Sequence, residues 1–536
     1  MSSCQFKKSI LLKVILVLFV SVSAYAGIIY VDDDATGASD GTSWTDAYVF
    51  LQDALADANE LAKPTEIQVA QGIYKPDLGM NQTPSDRTAT FHLINGVTLK
   101  GGYAGFGEPD PNAHDIEVYE TILSGDLNSN DIEVADPCDL STEPTRAENS
   151  RHVVTGSGTD ATAIIDGFSI AAGNADGPGW QETHGGGIRN MSGHPTITDC
   201  TFVGNAALRR GGGMYNVSSN PIITGCRFIE NMGLHGGGVC NHNSSTEMDY
   251  CEFSNNVAEN GGGVSNGGGS PVLLNCSFDK NLAIVSGGGV RNINIDSATL
   301  LDCIFTDNIS MDRGGGIFNQ NSSPDIVKCL FSGNLAVFGG GMGNFLDSFA
   351  TITHCTFSDN VADDYGGGMH NNNASPIVMN CLFTRNQAVW GGGLENSYHS
   401  TAIINHCIFS DNTAEDQGGG IFNNNATPAI TRCLLSGNSA LGGGGMGNFY
   451  YSVPVVNNCT FGDNKVAGEE GSGINSYWYS APIVTNCILW SNLSLSGSVI
   501  SCSPDSSTTV SYSNVEGSWP GQGNINSDPL FAYPGY

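Results

Sequence analysis

Acidic residues return on a regular beat in the second half of this chain. The residue preceding a recurrent Phe-x-x-Asn asparagine reads Asp307, Gly333, Asp359, Arg385, Asp411, Gly437 and Asp463, so acids occupy alternate repeats. The turn just downstream adds Asp312, then Asp363 and Asp364, then Glu415 and Asp416. Asp359, Asp363, Asp364, Asp411, Glu415 and Asp416 would thus collect oxygen donors from a strand end and its turn. Such a set suits Ca²⁺, whereas Zn²⁺ prefers Cys and His. Arg385, set between Asp359 and Asp411, has a catalytic reading as a base flanked by acids. The plainer reading is a solvated salt ladder, because alternation holds like charges about 9.6 Å apart instead of ~4.8 Å.

Aromatic side chains recur in the same region. Phe345 and Phe349, Tyr398, Phe449, Tyr450 and Tyr451, and Tyr477, Trp478 and Tyr479 fall on alternate turns. Large aromatics at regular spacing serve as stacking platforms for sugars or as protein interfaces. They also pack on one another along a rod. Hydrolysis of a glycosidic bond needs two carboxylates flanking it. The column two residues after each Gly triplet reads Arg189, Tyr215, Cys240, Ser265, Arg291, Phe318, Gly343, His370, Glu395, Phe422 and Gly447. It contains one carboxylate and therefore no pair.

The elements that position these residues follow from a cysteine ladder. Cys200, Cys226, Cys251, Cys276, Cys303, Cys329, Cys355, Cys381, Cys407, Cys433, Cys459 and Cys487 are separated by 26, 25, 25 and 27 residues, six intervals of 26, and one of 28. A fixed period of this size is one structural unit repeated. Three residues before each cysteine the side chain is apolar, and two after it stands Phe, or Leu at Leu435 and Leu489. The columns between vary freely, which is the period-2 signature of a strand. Three glycines per unit, with asparagines and frequent prolines, exclude a helical solenoid. Asparagines such as Asn371 and Asn386 close two turns per coil and stack into amide ladders. Each Gly triplet is a sharp bend with no room for Cβ, and the Lys-Ser/Thr of a phosphate loop is missing.

This pattern predicts an all-β, right-handed parallel β-helix of about twelve regular coils, plus less regular N-terminal coils, with two or three strands per coil. The helical spacing over Asp46–Leu61 predicts a short N-terminal cap that covers open strand edges. The expected domains are an export signal over 1–26, a cap and lead-in over 27–96, the β-helix over 97–495 and an irregular segment over 496–536. No second cap is visible at the C-terminus. The export signal rests on Lys7, Lys8 and Lys13, an apolar core over Val14–Val22, and Ala24-Tyr25-Ala26.

With 53 Asp+Glu against 20 Lys+Arg and a net charge of −33, the chain is poorly suited to nucleic acid or anionic membrane surfaces. Export normally favours disulfides. In-register ladder cysteines, however, stack at ~4.8 Å, too far apart for a relaxed bridge. Buried free thiols are the expectation, with Cys138, Cys240 and Cys502 left unassigned.

The repeat of Gly-Gly-Gly-apolar with Phe-x-x-Asn resembles the repeats of chlamydial polymorphic outer-membrane proteins. The stretch from Ile29-Tyr30-Val31-Asp32 to Gly41-Thr42-Ser43-Trp44, then Gln68–Tyr74, resembles the start of secreted β-helix proteins of the pectate-lyase-like superfamily. That superfamily contains lyases, hydrolases and adhesins. The resemblance therefore implies the fold and a secreted or cell-surface location, and leaves activity to the site. Lyases of the superfamily place Asp residues, a Ca²⁺ and an Arg or Lys base on outward positions of neighbouring coils, and no such cluster is legible. The favoured expectation is a non-catalytic scaffold for adhesion or glycan contact, with no cofactor beyond Ca²⁺. The alternative is a polysaccharide lyase or glycoside hydrolase acting on acidic glycans.

Overall fold

A computed structural model describes residues 27–295 and 297–531; the export signal expected over 1–26 lies outside them. The chain winds into a right-handed parallel β-solenoid. Four parallel sheets of 17, 16, 12 and 15 strands run along it. One coil shows the plan: Met369–Asn372, Ile377–Met379, Leu382–Thr384 and Gln387–Trp390 are successive strands. We call the sheets they belong to IV, I, II and III. The expected two or three strands per coil are thus four. The additional sheet is the one carrying Gln387–Trp390, whose register shifts between coils, so period 2 does not persist along its sequence.

Each inward column stacks on itself. The Phe rings from Phe202 to Phe409 stack with centroids 4.5–4.9 Å apart and planes within 8°. Truncating one to Ala would remove about 3–5 kcal/mol of packing. The twelve ladder cysteines are buried free thiols; Cys138, exposed, Cys240, buried, and Cys502, partly exposed, are free as well. Two asparagine ladders run along the corners: Asn360 Nδ2 donates to Asn386 Oδ1 at 2.9 Å, and Asn371 Nδ2 to Asn396 Oδ1 at 3.0 Å. Each buried amide is thereby paired with the next coil, which removes the cost of burying it.

The stack extends beyond 97–495 in both directions. Gly27–Val31 pairs with Thr65–Ala70, which pairs with Val97–Tyr103. At the other end Thr509–Ser511 and Asn514–Val515 still pair in parallel. The helix α1, Leu51–Glu60, buries Leu51, Ala54, Leu55 and Ala58 against the first strands. Trp519 packs on the core at the far end, where Ile525 N donates to Ser513 O at 2.9 Å. A small second cover is therefore present there. No helix among the described residues is long and apolar enough to cross a membrane.

Candidate functional site: a trench across the glycine bend

The Gly triplet joins the end of a sheet III strand to the next sheet IV strand, and the fold turns concave there. Gly366 and Gly391 open their triplets at φ +69° and +67°, a region glycine enters without strain. A Cβ on Gly393 would meet Gly420 O at 2.5 Å. The tight bend brings two columns face to face. The wall is the residue before each Gly triplet, at the end of a sheet III strand or, for His184 and Arg313, in an isolated bridge beyond it: His184, Arg210, His235, Asn260, Ser286, Arg313, Phe338, Tyr365, Trp390 and Gln417 in register. The floor is the outward residue of sheet IV, from Arg189 to Asn475. Ring contacts span the bend: His184 to Tyr215 at 4.8 Å, Phe338 to His370 at 5.7 Å and Trp390 to Phe422 at 5.0 Å.

This geometry corrects the view of the floor column as a free outward face. Tyr215, Phe318, His370, Glu395 and Phe422 lie outside the coil yet are at most 2% exposed, because the wall folds over them.

At the centre of the trench His370 Nδ1 lies 2.5 Å from Glu395 Oε2, both side chains being essentially buried. The approach is a close contact without aligned hydrogen-bond geometry, and His370 Nδ1, His370 Nε2 and Glu395 Oε1 have no hydrogen-bond partner. Burial pushes the Glu395 carboxyl up, against the nearby His370, which pulls it down. Around this pair Arg313, Phe338, Phe345, Asp364, Tyr365, Asn372, Ser397, Tyr398 and Asn424 line a pocket of about 240 Å³. Burial, then Asp364 and Glu395, raise the Tyr365 hydroxyl to about 12. The Arg313 guanidinium sits 5.1 Å from the Phe345 ring centre, a cation–π contact. The pocket is below the ~300–1,000 Å³ of whole-ligand sites and matches a single ring-sized group.

Toward the N-terminus the trench changes character. From His184 to Phe318 neither wall nor floor contains an Asp or Glu, while Arg189, Arg210, Arg291 and Arg313 lie along it. Arg189 Nη1 meets His152 Nε2 at 3.1 Å and Gln181 O at 3.3 Å. Arg291 Nη1 reaches Ser265 Oγ at 3.5 Å. The imidazoles there are depressed chiefly by burial, with the arginines adding to it. Burial and then Arg291 and Arg210 lower His235 to about 4. His184 also falls to about 4, chiefly by burial, with Arg210, Arg209 and Arg189 adding to it. Burial raises Cys240 to about 12, while Arg210 and Arg291 hold it down.

The sequence-derived candidates are placed as follows. Phe345 is in the trench and Tyr398 on its rim. Tyr450, Tyr451, Trp478 and Tyr479 form an exposed patch beyond it, with Tyr451 and Tyr479 stacked at 5.1 Å and Phe449 against Trp478 at 4.5 Å. Tyr477 donates its hydroxyl to Glu470. The acidic column is a turn column. Asp307, Gly333, Asp359, Arg385, Asp411, Gly437 and Asp463 all have φ between +52° and +70°, where Asp and Gly are favoured for conformational reasons. Asp307 Oδ1 and Asp411 Oδ1 lie 2.3 and 2.5 Å from where a Cβ on Gly333 and Gly437 would stand. The alternation is therefore an interlock of acid over glycine. Arg385 instead grips Asp359 with Nε and Nη2, both at 2.7 Å, on the exposed surface. Asp363, Asp364, Asp411, Glu415 and Asp416 are not drawn with Asp359 into a three-ligand group. Among the described residues the group whose carboxylate oxygens approach within 4.8 Å is Asp126, Asp131 and Glu148.

The wall column escaped the sequence reading because its spacing from the cysteine varies from coil to coil. The signal that could have found it is simple: it is the residue before each Gly triplet.

A family model for the right-handed β-helix region matches residues 239–407 and 288–446. No curated protein sequence matches the chain. Among solved structures, the PL6-family alginate lyase AlyGC aligns at 12% identity over 86% of this chain and 84% of its own, with a TM-score of 0.24. A rhamnogalacturonan lyase aligns at 10% identity over 91% and 87%, with a TM-score of 0.16. Likeness at that level bears on neither activity nor substrate.

Proposed function

We propose that this chain is an extracellular β-helix scaffold that binds an anionic glycan along the trench. The observation that carries the reading is the run of Arg189, Arg210, Arg291 and Arg313 on acid-free columns in a chain of net charge −33. An acidic surface repels anions generally, so a local basic strip selects where one docks. Coils repeat at about 4.8 Å, close to the rise of one pyranose unit, so an extended glycan can keep step with the rod. The aromatic pocket beyond Arg313 takes a ring. Export to the cell surface, adhesion and contact with a neighbouring cell belong to this reading.

Binding of uronate or sulfated oligosaccharides, followed by calorimetry, should weaken with salt and fall at least tenfold in an Arg189→Ala/Arg291→Ala variant. Equal affinity for a neutral oligosaccharide of the same length would overturn the proposal.

A second reading, β-elimination on a uronate glycan, is favoured by the His370–Glu395 contact alone. In it Glu395 would hold the proton on Nδ1, and Nε2, buried in this structure, would have to be uncovered to accept the proton α to the substrate carboxylate. The 4-O bond then breaks, the leaving oxygen takes up a proton, and a double bond forms between C4 and C5. Accumulation of unsaturated uronate, abolished by His370→Asn with binding retained, would establish it.

A further inference from the structure

The long irregular loop between Gly125 and Ser150 brings three carboxylates together. Oxygens of Asp126, Asp131 and Glu148 all lie within 4.8 Å of one another. Arg146 Nη1 meets Asp131 Oδ2 at 3.3 Å. Three carboxylates against one guanidinium leave two negative charges uncompensated at partly buried positions, where like charges repel strongly.

Hydrogen bonding does not account for the oxygens either. Asp126 receives the backbone N–H groups of Asn130 and Asp131, each at 3.2 Å, but Asp131 Oδ1 and Glu148 Oε1 are buried without a partner. Independently, the fully buried Asn149 has its carboxamide in the cluster. Its Nδ2 donates to Asp131 Oδ2 at 2.7 Å and to Ala172 O at 2.8 Å, while its Oδ1 is buried with no partner. A buried amide oxygen is rarely left unpaired in a native fold. Four unsatisfied or under-satisfied oxygens with a residual charge of minus two describe the coordination chemistry of a divalent cation.

We propose that Asp126, Asp131, Glu148 and the Asn149 Oδ1 form a Ca²⁺ site that clips this loop to the start of the solenoid. The donors are all oxygen, as hard cations require. Ligand oxygens around a Ca²⁺ at ~2.4 Å each stand no more than ~4.8 Å apart, and these oxygens lie within that limit, whereas Mg²⁺ demands a tighter octahedron and sheds water reluctantly. The fold gives the clip a task. Between Asp126 and Glu148 the described elements are two short 3₁₀ turns, Pro137–Asp139 and Pro144–Arg146, and closing a long loop is where a metal contributes most. The clipped end also leads directly into Ser150–His152. There Ser150 Oγ donates to Ala89 O at 2.9 Å and His152 meets Arg189 at the head of the trench.

The test uses the full chain stripped with EDTA and titrated with Ca²⁺ or Mg²⁺, followed by calorimetry and thermal unfolding. One equivalent of Ca²⁺ should bind, raise the melting temperature and protect the 126–148 loop from proteolysis, with Mg²⁺ much weaker. Glu148→Gln, which keeps the shape, should lose at least tenfold in Ca²⁺ affinity while its far-UV circular dichroism stays that of the wild type. Asp364→Asn/Asp416→Asn, which alters carboxylates that the structure places in the sheet III strands Val361–Tyr365 and Thr413–Gln417 instead of on turns, should bind Ca²⁺ as the wild type does. Absence of Ca²⁺ heat in the wild type would overturn the site, as would unchanged affinity in Glu148→Gln. Loss confined to the Asp364/Asp416 variant would move the cation to the other face and equally overturn it.

Discussion

His370 Nδ1 stands 2.5 Å from Glu395 Oε2 across one coil step, with both side chains essentially out of water. A buried carboxylate is tolerated only when something nearby compensates its charge. Here the His370 ring, held among Phe338, Phe345 and Tyr365, is the neighbour that pulls the Glu395 carboxyl down against its burial. Removing one partner of such a pair costs about 3–5 kcal/mol, because the other is left buried and alone.

Glu395→Ala should therefore destabilise the fold by several kcal/mol, and Glu395→Gln by clearly less. The carboxyl of Glu395 is raised in the folded state, so the native chain holds its proton more tightly than the unfolded chain does. Stability contributed by that proton is lost as pH rises from the unfolded carboxylate value toward the folded one. The wild-type stability relative to Glu395→Gln should decline over that window in urea titrations. A difference independent of pH would show that the carboxyl is not perturbed.

The basic half of the trench predicts acid lability of opposite sign. Burial and then Arg189 depress His152 from 6.5 to about 3. The unfolded chain then takes up a proton that the folded chain refuses, and stability falls as pH drops below the unfolded value of 6.5. From pH 7 to pH 5 this histidine alone should remove about 2 kcal/mol. His152→Asn should flatten that part of the urea midpoint's pH dependence; an unchanged slope would exclude His152 as its source.

Arg385 and Arg291 should behave differently although both are arginines in the repeat. Arg385 pairs with Asp359 at the surface, where an ion pair is worth about 0–1 kcal/mol. Arg385→Ala should barely move the unfolding midpoint and leave glycan binding intact. Arg291→Ala should weaken binding and reduce its salt dependence. Equal losses in the two variants would point to a delocalised charge effect instead of a trench.

Gly437→Ala should destabilise by about 1–2 kcal/mol, since an L-residue at φ +70° is strained, and its Cβ would collide with Asp411 Oδ1. Adding Asp411→Ala should return only the steric part. Full recovery would show that the left-handed conformation itself costs nothing at this position.

Much of this protein is local in origin and could be read from the chain. The cysteine period, the recurrent Phe and the apolar residue three before the cysteine specified stacked strands, because an in-register solenoid places every residue on its own copy. The helix over Leu51–Glu60 and the free thiols followed from the same reasoning. The acid-over-glycine column was visible as an alternation, but its cause was not: Asp411 covers Gly437 only once adjacent coils are stacked. The trench depended on tertiary structure altogether. Arg313 and His370 are 57 residues apart, and His370 and Glu395 look like two unremarkable outward positions until the Gly bends fold sheet III over sheet IV. Periodicity reports which side of a strand a residue faces; it cannot report that an outward side has been buried by a neighbouring wall whose own spacing slips. That concavity, with the burial and field it creates, was decided by packing between sheets.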